Sequence, residues 1–336
     1  MKQTRVGPWR SASACLACAC AAVLLGALVT AGAGCGGSES ASRVVRVGFL
    51  RNDLHQLAFY VAREKGFFKE QGLDIREGGA FNAGPEEMSS FSAGDLDIGY
   101  VGTAPCLTFA GQRMADVKIV AQANTGGTSL IVRPGLDVKE ITDLEGRTIA
   151  VPGLSTVQDF LLHRALEKAG MEPSQVRKTV LKPPEMLPAL AGAQVDAALA
   201  WEPYPSMARA QGAGRTLLSS REIWPDHPCC MVVADSAFIE KNPDAVRRFV
   251  AAHVKATRYI RDNRLEAADM AHLFTGQPTD VVRAAMKNIG FSFRPDIRKI
   301  GEYAVFMAGQ GVIKEKNPAA FARSMVDSSF IPGDGK

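Results

Sequence analysis

The chain is poor in the residues that would mark an enzyme. Of its 336 residues, five are histidine and seven are cysteine. No GxSxG elbow occurs and no histidine stands in a recognisable triad context, so serine-nucleophile chemistry has no support. His163, His253 and His272 fall on predicted helices and read as structural or solvated. No GxxxxGK loop is present, so a nucleotide-hydrolysing P-loop is excluded from this chain. Charge of one sign is scarce too. The formal net charge is +4, but Lys2, Arg5 and Arg10 lie in a segment expected to be removed, and no acid precedes Glu39. After cleavage before Cys35, 36 basic residues face 35 acidic ones. Nothing in that balance points to nucleic acid. Internal repeats are absent, as are low-complexity tracts beyond one short stretch near the N-terminus.

What is present begins with an export signal. Residues 1–34 show a basic start, an apolar stretch over 12–33 and small residues at its end. The run LVTAGAGC ends at Cys35, and Ala33 and Gly34 suit a bacterial lipoprotein cleavage site. Gly32 departs from that pattern, which favours leucine there. An ordinary secretory signal with an incidental cysteine and an uncleaved anchor are the alternatives. Residues 35–43 read as a flexible tether. A diacylated Cys35 would hold the domain at a membrane surface, because two chains anchor stably where one does not. Cys15, Cys18 and Cys20 belong to the signal, leaving Cys106, Cys229 and Cys230 for the mature fold. That is no disulfide framework. A bridge from Cys106 to one of the pair stays open on spacing alone; buried free thiols are the simpler expectation.

The mature chain alternates strands and helices. Residues 44–50 read as a buried strand, and Asn52 or Asp53 caps the next helix. Leu54, Leu57, Ala58, Val61 and Ala62 share one face of that helix, which Gly66 ends. Further strands are predicted at 73–77, 97–101, 117–123 and 130–133, then at 148–151, 176–181, 196–201 and 231–234. Helices fall between them, and the alternation predicts parallel α/β sheets. From Pro243 onward the chain is helical. Phe249, Val250, His253, Val254, Thr257 and Ile260 line one face, and Ile297, Ile300, Ala304 and Met307 another. The expected organisation is a discontinuous first lobe, 44–133 with 230–336, and a second lobe, 134–229.

Several runs carry a family resemblance: YVAREKGFF followed by GLDI, then SSFSAGDLDIGYVG, DLEGRTIAV and WEPY. Their order and spacing, over residues 44 to about 326, resemble solute-binding proteins of ABC importers. The most similar branch is the nitrate/sulfonate/taurine type, which also contains binders of thiamine precursors. The resemblance implies an α/β type II periplasmic-binding-protein fold, with two α/β lobes joined by two crossovers and a helical C-terminal tail. It implies a small polar or anionic ligand, such as a sulfonate, taurine, nitrate or a related organic molecule. An ABC permease and a cytosolic ATPase would be its partners. No cofactor, no metal and no catalytic residue are implied, and a monomer is expected.

In such sheets ligands bind beyond the carboxyl ends of strands, where loops enter helix N-termini. Five segments fit and should converge on the interlobe cleft. In the first, Asn52, His55 and Gln56 could donate to a bound oxygen. In the second, Gly102 and Ala104 flank Thr103, which can cap its helix. In the third, Gly127 and Thr128 lie in a polar run at a crossover, favoured slightly as hinge. In the fourth, Ser155, Thr156 and Gln158 offer hydroxyls and free N–H groups at a helix N-terminus. In the fifth, by resemblance, Trp201 would pack on the ligand and Glu202 pair with an ammonium or donor group, with Tyr204 beside them. His227 joins these as a further candidate. Glu202 and Asp53 favour a zwitterion or neutral heterocycle over nitrate, because a buried unpaired carboxylate against an anion is costly. Two other classes stay open. His55 and the run His227–Pro228–Cys229–Cys230 resemble, faintly, an enzymatic branch that makes the thiamine pyrimidine with a histidine and a cysteine-rich iron segment. His227, Cys229 and Cys230 could otherwise ligate a metal, although adjacent cysteines lack CxxC spacing. A ligand sensor without transport would look the same.

Overall fold

The computed structural model describes residues 44–333. The predicted signal, Cys35 and the tether lie outside the described residues. Twelve strands are found among those described. One five-stranded sheet has the order β2-β1-β3-β11-β4. Its strands are β1 (Val44–Leu50), β2 (Asp74–Phe81), β3 (Ile98–Gly102), β4 (Val117–Gln122) and β11 (Cys230–Asp235). The second has the order β10-β6-β9-β7-β8. It is built from β6 (Thr128–Val132), β7 (Thr148–Val151), β8 (Arg177–Val180), β9 (Ala197–Trp201) and β10 (Arg215–Ser219). Between them, β5 (Asn124–Gly126) pairs with β12 (Ile289–Phe291). This is the α/β, two-lobed fold expected.

Two expectations are corrected. The sheets are mixed, not parallel: β11 runs antiparallel to β3 and β4, and β6 antiparallel to β9. Helix–strand alternation cannot reveal this, because β11 and β6 are the segments by which the chain changes lobe. The strand predicted at 130–133 also belongs to the second sheet, where Thr128 pairs with Trp201. The crossover therefore falls at β5 and Gly127, upstream of the 134 boundary.

The first lobe closes around aromatic rings. Phe59 stands 5.2 Å from Phe49 and 5.6 Å from Tyr100, and Phe68 stacks on Phe249 at 4.8 Å. Helix Leu57–Glu64 thereby packs on the 20-residue helix Pro243–Asp262, whose apolar stripe includes the predicted Phe249, Val250, Val254 and Ile260, all buried. Each such side chain contributes about 1.5–3 kcal/mol by leaving water. On the second stripe Ile300, Ala304 and Met307 are buried, while Ile297 is exposed.

His253 on this helix is fully buried; Tyr100 Oη lies 3.0 Å from its Nδ1, and its Nε2 donates to the Gln122 carbonyl at 2.8 Å. Burial pushes its pKa down from 6.5 to about 4. The unfolded chain therefore binds a proton between those values that the folded chain refuses. Stability should fall as pH drops from 6.5 toward 4, by up to about 3 kcal/mol from this group. Urea unfolding of the parent and of His253→Gln at pH 7 and 4.5 tests it. The variant should lose less stability across the window, and an equal loss in both would refute the assignment.

Candidate functional site

The carboxyl ends of both sheets face one small cavity. Leu50, Asp53, His55, Gly84, Gly102 and Pro105 line it from the first lobe, with Thr156, Val157, Gln158 and Trp201 from the second. Cys229 and Cys230 complete the lining. They arrive because β11 is antiparallel: Cys230 pairs with Gly102, so the start of β11 sits at the end of β3. The volume is about 20 Å³, room for about one water molecule. The lobes are shut on each other. Gly102 permits this, since a Cβ there would stand 3.0 Å from Val157 Cγ2. Leu54 N–H donates to the Glu202 carbonyl across the gap at 3.1 Å, and Lys182 pairs with Glu86.

The cavity floor carries charge. Asp53, not Asn52, caps the first turn, its Oδ1 accepting the His55 N–H at 2.9 Å. The same oxygen lies 3.3 Å from His55 Nδ1. Cys229 Sγ stands 3.4 Å from that nitrogen and Cys230 Sγ 3.9 Å. On the other edge of the ring, Nε2 donates to the Gly127 carbonyl at 3.0 Å. Burial pushes the Asp53 carboxyl up to about 6, partly offset by His55. Burial alone would lower His55; the charges of Asp53 and Cys229 outweigh it and hold the imidazole at about 9. Burial likewise opposes ionisation of Cys229, yet the Cys230 thiol and His55 together draw its pKa well below normal. Cys230 is driven well above normal by its bond to Cys229 and by burial. The set thus places an imidazole edge against a carboxylate oxygen and two sulfurs.

The five predicted segments do not all converge here. His55, Gly102, Thr156, Gln158 and Trp201 line the cavity. Thr156 is also the cap of helix Val157–Lys168, accepting from Asp159 N–H at 3.2 Å. Gln158 Nε2 donates to Thr128 Oγ1 at 2.9 Å. Trp201 Nε1 is buried without a hydrogen-bond partner. Gln56 is spent internally, accepting from Leu50 N–H and donating to the Tyr100 carbonyl. Glu202 is spent likewise: it accepts from Asn288 Nδ2 at 2.7 Å and Ser206 N–H at 3.2 Å, and burial raises its pKa. Asn52 and Tyr204 line a separate cavity of about 220 Å³ beside Pro184 and Met207. Ala104 and Ser155 flank another with Phe160 and Met307. Thr103 does not cap its helix; Gly102 holds that position, and Thr103 Oγ1 donates to the Pro228 and Cys229 carbonyls at 2.9 and 3.1 Å. The hydroxyl fixes the cysteine pair instead. His227 is buried outside the cavity lining, stacked on Trp224 at 6.1 Å, with its Nδ1 3.3 Å from the Trp224 carbonyl and its side chain also interacting with Cys229. Cys229 and Cys230, read from the sequence only as a faint iron-segment resemblance with His55 or as metal ligands with His227 and not as solute contacts, line the cavity. Their approach to His55 depends on the strand direction of β11, which no local pattern carries. All three cysteines are free and buried, as expected.

Comparison with known proteins now fits this geometry. Residues 38–275 match the model of the NMT1-like family, and the chain belongs to that family. A Brucella abortus (strain 2308) protein, known by name only as a binding protein, is 30% identical over 233 residues, 68% of this chain and 71% of its own. The taurine-binding periplasmic protein of Escherichia coli (strain K12) is 29% identical over 193 residues, 56% of this chain and 58% of its own. In structure, the alkanesulfonate-binding protein SsuA of Xanthomonas axonopodis pv. citri, bound to MOPS, superposes with a TM-score of 0.75 at 20% identity. The match covers 86% of this chain and 99% of that one. It establishes the periplasmic-binding-protein fold.

Gly127 is the position the site tolerates least. Its φ is +83°, and a Cβ there would lie 2.2 Å from His55 Nε2. Gly127→Ala should cost about 2–4 kcal/mol through left-handed strain and displacement of the ring. Denaturant titration measures it, and a change under about 0.5 kcal/mol would contradict this account.

Proposed function

We propose that the chain is the extracytoplasmic solute-binding receptor of an ABC importer, which captures a small polar or anionic molecule between its lobes. The observation that carries this reading is the closed interlobe cavity. It joins a helix N-terminus, Thr156 to Gln158, to the buried, unpartnered indole N–H of Trp201. First-turn N–H groups have no carbonyl partner within their own helix, and the helix dipole favours an anion there. Trp201 supplies an apolar face and one donor. His55 and Asp53 bring charges of opposite sign nearby. A zwitterion with a sulfonate or carboxylate head suits that mixture better than a simple anion does. The taurine- and alkanesulfonate-binding relatives support this class. A solute of that size needs more than about 20 Å³, so it enters with the lobes parted. It then stabilises the closed state by contacts available only there.

Partners follow from the class: a permease that reads the closed form and an ATPase on a separate chain. The test is a thermal-shift screen on residues 36–336, unfolded and refolded to strip bound solute, against taurine, alkyl and aryl sulfonates, nitrate, thiamine pyrimidines and amino acids. One class should raise the melting temperature saturably. Trp201→Ala should weaken that ligand by about tenfold or more. Unchanged affinity would remove Trp201 from the pocket, and no shift with any class would sink the reading.

We further propose that the receptor is held at the membrane through a lipidated Cys35. Intact-mass analysis of the membrane fraction should find a diacylglyceryl-modified N-terminus at Cys35. Cys35→Ala should move the protein to the soluble fraction; equal membrane retention of both forms would contradict lipidation.

A further inference from the structure

The three donors on the cavity floor have the geometry of a metal site. His55 Nδ1, Cys229 Sγ and Cys230 Sγ all lie within 4.8 Å of one another. The nitrogen stands 3.4 Å from one sulfur and 3.9 Å from the other. A tetrahedral ion bound at about 2.0–2.1 Å to nitrogen and about 2.3 Å to sulfur separates its nitrogen and sulfur ligands by about 3.6 Å, and two sulfurs by about 3.8 Å. The observed spacings bracket the nitrogen–sulfur separation without movement of the backbone.

Two further features are those of a ligand set. A metal-binding histidine donates its other ring N–H to a carbonyl or carboxylate, which fixes the ring and leaves one nitrogen for the ion. Here Nε2 donates to the Gly127 carbonyl at 3.0 Å, and Nδ1 faces the sulfurs. The cysteine pair is itself held: Thr103 Oγ1 grips the Cys229 carbonyl, and the Cys230 N–H donates to Asn124 Oδ1 at 2.9 Å. All three ligand residues line the interlobe cavity, so parting the lobes gives an entry path.

We infer that His55, Cys229 and Cys230 form a three-ligand site for a thiophilic metal ion, with its fourth position open to the cleft. Two sulfurs and an imidazole select zinc or a similarly soft ion over magnesium or calcium. The ion takes the place of the protons shared among Nδ1 and the two sulfurs. Three protein ligands with one free position leave room for an outside donor. Asp53 Oδ1, 3.3 Å from Nδ1, lies beside the ligand set. His227, which neighbours the pair in sequence and interacts with Cys229, stands outside this three-donor set; the distant His55 belongs to it.

The test uses the exported chain, reduced, stripped with chelator and kept anaerobic, with three free thiols verified and no organic solute present. Its outcome is therefore independent of solute capture. Cobalt(II) is the probe, zinc the competitor. The expected result is one equivalent of cobalt with a thiolate-to-cobalt charge-transfer band and tetrahedral visible bands, displaced by zinc. Zinc should protect two of the three thiols from alkylation. Cys229→Ser, Cys230→Ser and His55→Gln should each weaken zinc by about 100-fold or more, while Cys106→Ser and His227→Gln bind like the parent. Circular dichroism checks that each variant is folded. If a ligand variant fails to fold, thiol protection in the Cys106→Ser chain decides: two thiols protected supports the site, none overturns it. No saturable binding by the folded parent, a spectrum without thiolate bands, or loss in His227→Gln with His55→Gln spared would each overturn the inference.

Discussion

The carbonyl oxygen of Gly127 accepts two hydrogen bonds, from Glu202 N–H at 2.8 Å and His55 Nε2 at 3.0 Å. One donor comes from the end of a second-lobe strand, the other from the first helical turn of the first lobe. The acceptor belongs to the crossover between them. That single oxygen sets three things at once. It holds the shut lobes in register, orients the imidazole and fixes which ring nitrogen faces the cysteines. A left-handed residue is needed to turn the carbonyl this way, and a side chain would occupy the space of the ring.

Around this point the protein buries ionisable groups it could have left in water. Asp53, His55 and Cys229 are almost wholly inaccessible. Taking an ion out of water costs several kcal/mol, and mutual attraction recovers it only in good geometry. A hydrophobic trio of the same volume would serve stability as well. The cluster is therefore better explained by use than by stability, and its position on the cavity floor agrees. Glu202 is the contrasting case. It too is buried, but its oxygens are taken by Asn288 and Ser206, and it serves as a structural clasp between the second lobe and the returning C-terminal segment.

Much of the fold was legible in the sequence, because strand and helix periods report on local burial. Val44–Leu50, the stripe of Pro243–Asp262 and the order of the helices follow from patterns a few residues long. Strand direction does not. β11 is apolar in either direction, and only tertiary pairing makes it antiparallel and carries Cys229 and Cys230 to His55. The site was half legible for a related reason. Residues at helix N-termini, such as Thr156 and His55, were found by their position after a strand. Whether each then faces the cleft, a neighbouring cavity or an internal partner depends on a rotation of the loop. Tyr204 and Asn52 turn to another cavity, and Gln56 turns inward to Leu50 and Tyr100.

The shut state also constrains how tightly any solute can bind. Contacts that need no solute already hold the lobes together: Leu54 to the Glu202 carbonyl, Lys182 with Glu86, and Phe160 against Tyr303 at 4.1 Å. Opening must break them before a molecule larger than one water can enter. The free energy of opening is therefore subtracted from the intrinsic affinity, as for any binding-competent state that is only fractionally populated. Contacts that bridge the lobes away from the cavity walls oppose entry and aid retention, so changing them alters rates and apparent affinity without touching the ligand. The cavity residues then determine which solute recovers that cost. Only groups the shut form cannot satisfy for itself are available to it, and the indole N–H of Trp201 is of that kind.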